Sequence, residues 1–230
     1  YLTCGFIIEE GFSISELDQI CASMQEAANV CQVKIVTGDT KVVPKGNVEG
    51  IYINTSGVGA IAPEVSLEAD SVSAGDVILV SGDIGRHGAC VAGLRNNFGL
   101  DFQIDSDCGS LHRVAKALLH HGDVKYMRDA TRGGIAAVLN ELALSCQREF
   151  CLQESDIPID PTVNSVCEVL GFNSLHLANE GRLVAILSKE SSESAISALR
   201  TLPESQNASV IGEVCDVLNE VGVVTMRSYL

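Results

Sequence analysis

Four short polar segments carry side chains that can do chemistry. In Thr37-Gly-Asp-Thr-Lys-Val-Val43, Asp39 and Lys41 lie two residues apart behind an apolar strand. On extended backbone that spacing points both side chains to one face. A carboxylate there can hold a cation and the lysine can steady a phosphate. The competing reading is an ordinary polar turn at Gly38-Asp39. In Arg128-Asp-Ala-Thr-Arg-Gly-Gly134, two glycines open a helix at a cost of about 1 kcal/mol each relative to alanine. A phosphate on bare backbone N–H groups at the helix start would offset that cost. Thr131 is the expected cap there, Asp129 a candidate magnesium ligand, and Arg128 and Arg132 local positive charge. Close packing through Gly133-Gly134 is the alternative.

The third segment, Ala178-Asn-Glu-Gly181, enters an apolar strand. A partly buried Glu180 there would have a raised pKa and could move protons near neutrality, whereas a solvated Glu180 would mark a plain turn. The fourth, Ser81-Gly-Asp-Ile-Gly-Arg-His-Gly88, spaces its glycines as Gly-x-x-Gly-x-x-Gly, which is weak evidence for a nucleotide and equally fits tight turns. His87 is the only histidine in a glycine-rich setting. The others show no metal-ligand spacing, and Gly-x-x-x-x-Gly-Lys-[Ser/Thr] is absent, which excludes a P-loop.

Periodicity supplies the elements that position these residues. Strands are expected over residues 2–8, 33–37, 50–59, 77–80, 183–187 and 209–214, the last as the final strand. Apolar residues at helical spacing (Ile14, Leu17, Ile20, Met24, Ala27) predict a helix over 13–30. Further helices are expected within 82–97 after a loop, over 111–120, within 128–144 behind a loop, and over 162–170 and 191–202. The pattern restarts near Ala62-Pro63. These elements predict a small first unit and a mixed α+β domain whose sheet is covered by helices.

Composition narrows the function classes. A formal charge of −15 over 230 residues opposes nucleic-acid backbones and anionic lipid. No apolar run approaches the ~20 residues of a membrane span, and no signal peptide is visible. Nine cysteines, an odd count without CxxC, argue against a disulfide framework or structural zinc and for a reducing cytoplasm. With no Trp and 4% aromatics, aliphatic side chains must fill the core.

Taken together and in order, five stretches resemble one family. They are residues 1–11 (from Tyr1-Leu-Thr-Cys-Gly), Ile35-Val-Thr-Gly-Asp-Thr-Lys-Val-Val43, Ile53-Asn-Thr-Ser-Gly57, Arg128-Asp-Ala-Thr-Arg-Gly-Gly134 and Ala178-Asn-Glu-Gly-Arg-Leu-Val184. The family is HypE, the carbamoyl dehydratases of nickel–iron hydrogenase maturation, within the aminoimidazole ribonucleotide synthetase and selenophosphate synthetase superfamily. The resemblance covers essentially the whole chain. It implies an α+β, two-domain fold of the aminoimidazole ribonucleotide synthetase kind. Residues 1–62 would be the second half of an N-terminal ATP-binding and dimerisation domain, and residues 63–230 the C-terminal domain. Both ends would be missing, and the piece would be inactive alone.

The implied activity is ATP-dependent dehydration of a carbamoylated C-terminal cysteine to a thiocyanate, the source of the cyanide ligand. HypF would donate the carbamoyl group and the HypC–HypD complex would accept the cyanide. ATP and Mg2+ would be the cofactors, and a homodimer in the cytoplasm the assembly. Carried over by position, Asp39 and Asp129 match the magnesium–ATP acids and Lys41 the lysine near phosphate and tail. Glu180 matches the acid that removes amide protons, and Thr40, Asn54, Thr131 and Asn179 supply ATP contacts. Arg86 stands where related sequences commonly carry an acid, which weakens any role for the 81–88 loop. A selenophosphate synthetase-like phosphoryl-transfer enzyme and a non-catalytic carrier remain as alternatives.

Overall fold

The computed structural model describes residues 1–95, 103–217 and 221–228. The chain forms two compact units, Tyr1–Glu64 and Val65–Leu230.

Unit 1 is a three-stranded sheet with one helix. β1 (Leu2–Glu9) lies between β2 (Ile35–Val43), parallel to it, and β3 (Ile51–Gly57), antiparallel. Helix α1 (Ile14–Val30) joins β1 to β2, and its cap Ser13 accepts from the Glu16 N–H. In β1 only Cys4 and Ile8 are buried, two residues on the same face of an alternating strand. β2 runs longer than periodicity suggested. Gly38-Asp39 is not a turn: the strand passes through it to Val43, with a register shift opposite Leu2-Thr3. A Cβ at Gly38 would lie 2.0 Å from the Cys4 carbonyl oxygen, so only glycine permits this approach.

Unit 2 is built on a six-stranded sheet in the order β5-β7-β4-β8-β6-β9. The strands are β4 (Val77–Val80), β5 (Val124–Asp129), β6 (Glu149–Gln153), β7 (Leu183–Leu187), β8 (Ser209–Cys215) and β9 (Val223–Arg227). Neighbours are antiparallel except β6 and β9. The central β4 is buried on both sides, as its unbroken apolar run requires. Ile78 and Val80 enter one core with Ile135, Leu139 and Phe150, on the side of α4 (Gly134–Cys146). Val77 and Leu79 enter the other with Leu118 and Leu199, from α3 (His112–His121) and α6 (Ser192–Arg200). A smaller cluster joins Ala89 of α2 (Arg86–Arg95) to Val163, Val166 and Cys167 of α5 (Pro161–Leu170).

Three strands, β5, β6 and β9, escaped periodicity, and β8 is therefore not the last. Each mixes polar and apolar residues at a sheet edge or beside one, where a one-sided apolar signal is weak. α2 ends at Arg95, and the rest of the expected 82–97 segment, including Asn97, lies outside the described residues. Among the described residues no helix is long and apolar enough to cross a membrane.

Candidate active site

In unit 1 the strand registers gather three of the eight candidate residues, Asp39, Lys41 and Asn54. Asp39 and Asn54 flank Gly5 in one cross-strand row, and Lys41 and Tyr52 flank Ile7 two residues further on. Strand alternation puts these two rows on one face. Gly5 leaves bare backbone between the Asp39 and Asn54 positions: a Cβ there would meet nothing nearer than the Asn54 carbonyl oxygen at 4.0 Å. Asp39 Oδ1 accepts the Thr40 N–H at 2.8 Å, which fixes the carboxylate at the rim of this strip. Thr40 itself pairs with Phe6 and so points its hydroxyl to the opposite face. There, a cleft of about 420 Å³ is lined by Phe6, Met24, Ala28 and Val33 together with Gln25, Asn29 and Lys34.

The other candidates meet in unit 2 where β5 leaves the sheet. Asp129 pairs with Leu183 across β5 and β7, so the strand end lies beside the loop that carries Glu180. Thr131 donates its hydroxyl to Asp129 Oδ2 rather than capping α4. The α4 cap is instead Gly133 at φ 70, without a side-chain bond. Gly134 is buried against the backbone of residues 175–177, and a Cβ there would sit 2.3 Å from the Leu175 carbonyl oxygen. Close packing, not room for a phosphate, accounts for that glycine. Arg128 is paired with Glu141 on α4, which offsets its charge, whereas Arg132 is exposed.

Asn179 is a lock. It is 1% exposed, and its side chain serves only backbone. Oδ1 accepts the Gly85 N–H at 2.7 Å, while Nδ2 donates to the Ala130 and Leu177 carbonyls at 3.0 and 3.1 Å. Its placement among the ATP contacts is therefore corrected: no polar atom of the side chain is left to meet a nucleotide, and the residue ties the Glu180 loop to the end of β5. Glu180 projects from that loop with its side chain 39% exposed, so the partly buried carboxylate considered from the sequence is not found. Its Oε1 is 3.9 Å from His87 Nε2.

Sequence reasoning missed the residues that hold this corner together. Asp107, in an irregular polar stretch with no period, is buried. It accepts the backbone N–H of His87 at 3.0 Å, of Glu180 at 3.4 Å and of Gly181 at 3.2 Å. Ser106 Oγ is 2.9 Å from His87 Nδ1. In the 81–88 loop, Gly82 and Gly88 lie against Arg182 and Leu177, which is packing rather than nucleotide recognition.

Arg86 has a clear place as well. It bonds Asp83 at 2.7 Å and Asp160 at 2.9 Å, and Arg182 bonds the other Asp83 oxygen at 2.8 Å. Burial by itself raises the Asp83 carboxyl, but Arg182 and then Arg86 outweigh it and hold the group below its ordinary 3.8. A depressed folded pKa means the stabilisation is present above about pH 4 and is lost as pH falls through the folded value. Asp83→Asn is expected to lower unfolding stability by about 3 kcal/mol at pH 7, since it strands two guanidiniums. In urea titrations the gap to wild type should shrink at pH 3; an equal gap at both values would rule the network out as its source.

Each unit offers one carboxylate of a kind that can share magnesium with a nucleotide. Asp39 in unit 1 and Asp129 in unit 2 are exposed carboxylates, each without a cationic partner among the described residues, which contain no group of three His, Cys, Asp or Glu that could hold a metal ion. Magnesium is commonly held by one or two carboxylates together with substrate phosphates, not by a protein cage.

Two family descriptions match the chain: AIR synthase related protein, N-terminal domain, over residues 1–61, and AIR synthase related protein, C-terminal domain, over residues 73–224. The carbamoyl dehydratase HypE of Escherichia coli K12 is 44% identical over 216 residues, 94% of this chain and 64% of that protein. The chain thus spans under two thirds of that relative's length. A crystal structure of HypE in complex with ATP is similar at 41% identity and TM-score 0.91, covering 98% of this chain and 69% of that one. A HypE–HypF complex is similar at 38% identity and TM-score 0.92, covering 100% of this chain and 75% of that one.

Proposed function

Because the chain belongs to the HypE family of AIR synthase related proteins, we propose that its intact protein converts a carbamoylated C-terminal cysteine to a thiocyanate with ATP. HypF loads the carbamoyl group onto the tail sulfur; the family member solved with HypF supports that partner. The carboxamide oxygen takes the terminal phosphoryl group of ATP, and phosphate then departs as the nitrile forms. An amide oxygen leaves poorly and phosphate leaves well, which is why the dehydration consumes ATP. The cyanide passes to the HypC–HypD complex for the hydrogenase iron.

The observation that carries this reading is the corner of unit 2 where Asp129 and Glu180 sit on adjoining backbone, locked by Asn179. Glu180 is the base for the amide N–H protons. Lys41 orients phosphate and tail, Asp39 of unit 1 and Asp129 of unit 2 are each carboxylates that would ligate magnesium, and Asn54 and Thr131 support the nucleotide. Thr40 contributes the backbone N–H that fixes Asp39. When bound, magnesium offsets phosphate charge that the acidic surface would otherwise repel. Residues 1–62 form the second half of the ATP-binding and dimerisation domain and residues 63–230 the C-terminal α+β domain of a cytoplasmic homodimer.

The test is incubation of the intact protein with HypF, carbamoyl phosphate and ATP. The tail peptide should gain a carbamoyl group and then lose one water by mass; a carbamoylated tail that never loses water with ATP present would defeat the reading. Asp39→Asn and Asp129→Asn should each weaken magnesium–ATP binding by about 2 kcal/mol, roughly 30-fold. Calorimetry showing wild-type affinity in both would remove the metal assignment.

A further inference from the structure

The unit 2 sheet carries a second polar cleft, toward the edge opposite β5. Helices α3 and α6 pack against Val77 and Leu79 of β4 and against β7. Past them, on the Val77 face, Glu213, Thr225 and Arg227 are exposed and Cys151 is half-buried. The cleft that opens there holds about 310 Å³, near the lower bound of about 300 Å³ for a small-molecule site. Its lining includes the apolar Val77 and Val210, Cys151 of β6, two cations, Lys189 and Arg227, and two acids, Asp156 and Glu213. Among the described residues neither cation has an ion-pair partner.

Cys151 does not stand alone. β8 pairs with β6 so that Cys151 faces Glu213 and Cys215 faces Glu149, which sets the two cysteines on one face as diagonal neighbours. Diagonal Cα atoms lie about 7–8 Å apart, beyond what a disulfide spans without backbone movement. The two side chains still hydrogen-bond. Burial, and then that bond, push the Cys215 thiol up to about 12, so Cys215 keeps its proton and donates it to the Cys151 sulfur. Thr225 Oγ1 lies 3.7 Å from the same sulfur. A sulfur that accepts a hydrogen bond is better held as the thiolate, the form that attacks disulfides.

We propose that Cys151 is a site of mixed-disulfide formation with a small peptide thiol of the glutathione type, which carries two carboxylates and one ammonium. The carboxylates meet Lys189 and Arg227, the ammonium meets Asp156 or Glu213, and Val77 and Val210 take the methylenes. The oxidant is the symmetrical disulfide of that peptide. The Cys151 thiolate attacks one of its sulfurs, and a new S–S bond forms as the old one breaks. The departing peptide leaves with the electron pair as a thiolate and takes up the proton that Cys151 gave up. Cys215 stands too far along the diagonal to close on Cys151, so the adduct lasts until an external thiol reverses the exchange. The site stands apart from the proposed dehydration and does not depend on it.

The experiment exposes the intact protein, at low salt, to oxidised glutathione and separately to the uncharged bis(2-hydroxyethyl) disulfide. Peptide mass mapping reads the rate of adduct formation at each cysteine. The exposed Cys21 is the internal reference. The ratio of the charged to the uncharged reagent's rate should be about tenfold higher at Cys151 than at Cys21, since two cations favour only the charged one. Replacing both cations, Lys189→Ala with Arg227→Ala, should bring the two ratios together and leave the Cys151 rate toward the uncharged reagent unchanged, which also reports that the variant is folded. Cys215→Ala should slow Cys151 toward both reagents. Equal ratios in the wild type overturn the proposal, as does a double variant that keeps the preference. A Cys151–Cys215 disulfide in place of the peptide adduct overturns it too.

Discussion

Glu180→Gln is expected to keep ATP binding and to lose thiocyanate formation by about 1,000-fold, within the range for removing a positioned general base. Glutamine preserves the size of the side chain and leaves the Asp107 bonds to the Glu180 and Gly181 backbone in place. Only basicity is removed. The variant should stall before water is lost, with the carbamoylated tail intact. One mass measurement of the tail peptide separates the carbamoylated from the dehydrated form. A Gln variant that dehydrates the tail at the wild-type rate would show that Glu180 is not the base.

Asn179→Ala should cost about 4 kcal/mol of stability, a large part of what a domain has. The change removes three hydrogen bonds at once, two of them buried. It leaves the Gly85 N–H without its acceptor, and an unsatisfied buried group costs about 1–3 kcal/mol. The Ala130 carbonyl fares better, since the Asn179 backbone N–H still reaches it at 3.2 Å. Asn179→Asp should be destabilising too: a carboxylate can accept from Gly85 but cannot donate to two carbonyls. Urea unfolding measures both. If Asn179 were a nucleotide contact, its variants would lose ATP affinity with stability unchanged, and that outcome would restore the sequence-based assignment.

The sequence by itself determined the elements with strong one-sided or unbroken apolar patterns. The α1 periodicity and the four-residue run of β4 left no other comfortable arrangement. It also marked the residues to which the proposed chemistry is assigned, because Asp39, Lys41, Asp129 and Glu180 stand in polar breaks next to apolar runs. What it did not determine was which of them meet and what each is free to do. Asp39 and Asn54 share a row only because β1 pairs with β2 on one side and β3 on the other, with Gly5 between. Thr40, one residue from Asp39, falls on the opposite face for the same reason. Asn179 and Glu180 are adjacent and equally polar in the chain, yet the fold buries one among carbonyls and leaves the other 39% exposed beside His87. Asp107 lies 73 residues from Glu180, and its three backbone bonds exist only once the loops have closed. Periodicity reports one residue's preference for a face; hydrogen bonds across long loops depend on where the whole sheet places their ends, and that is settled by tertiary packing.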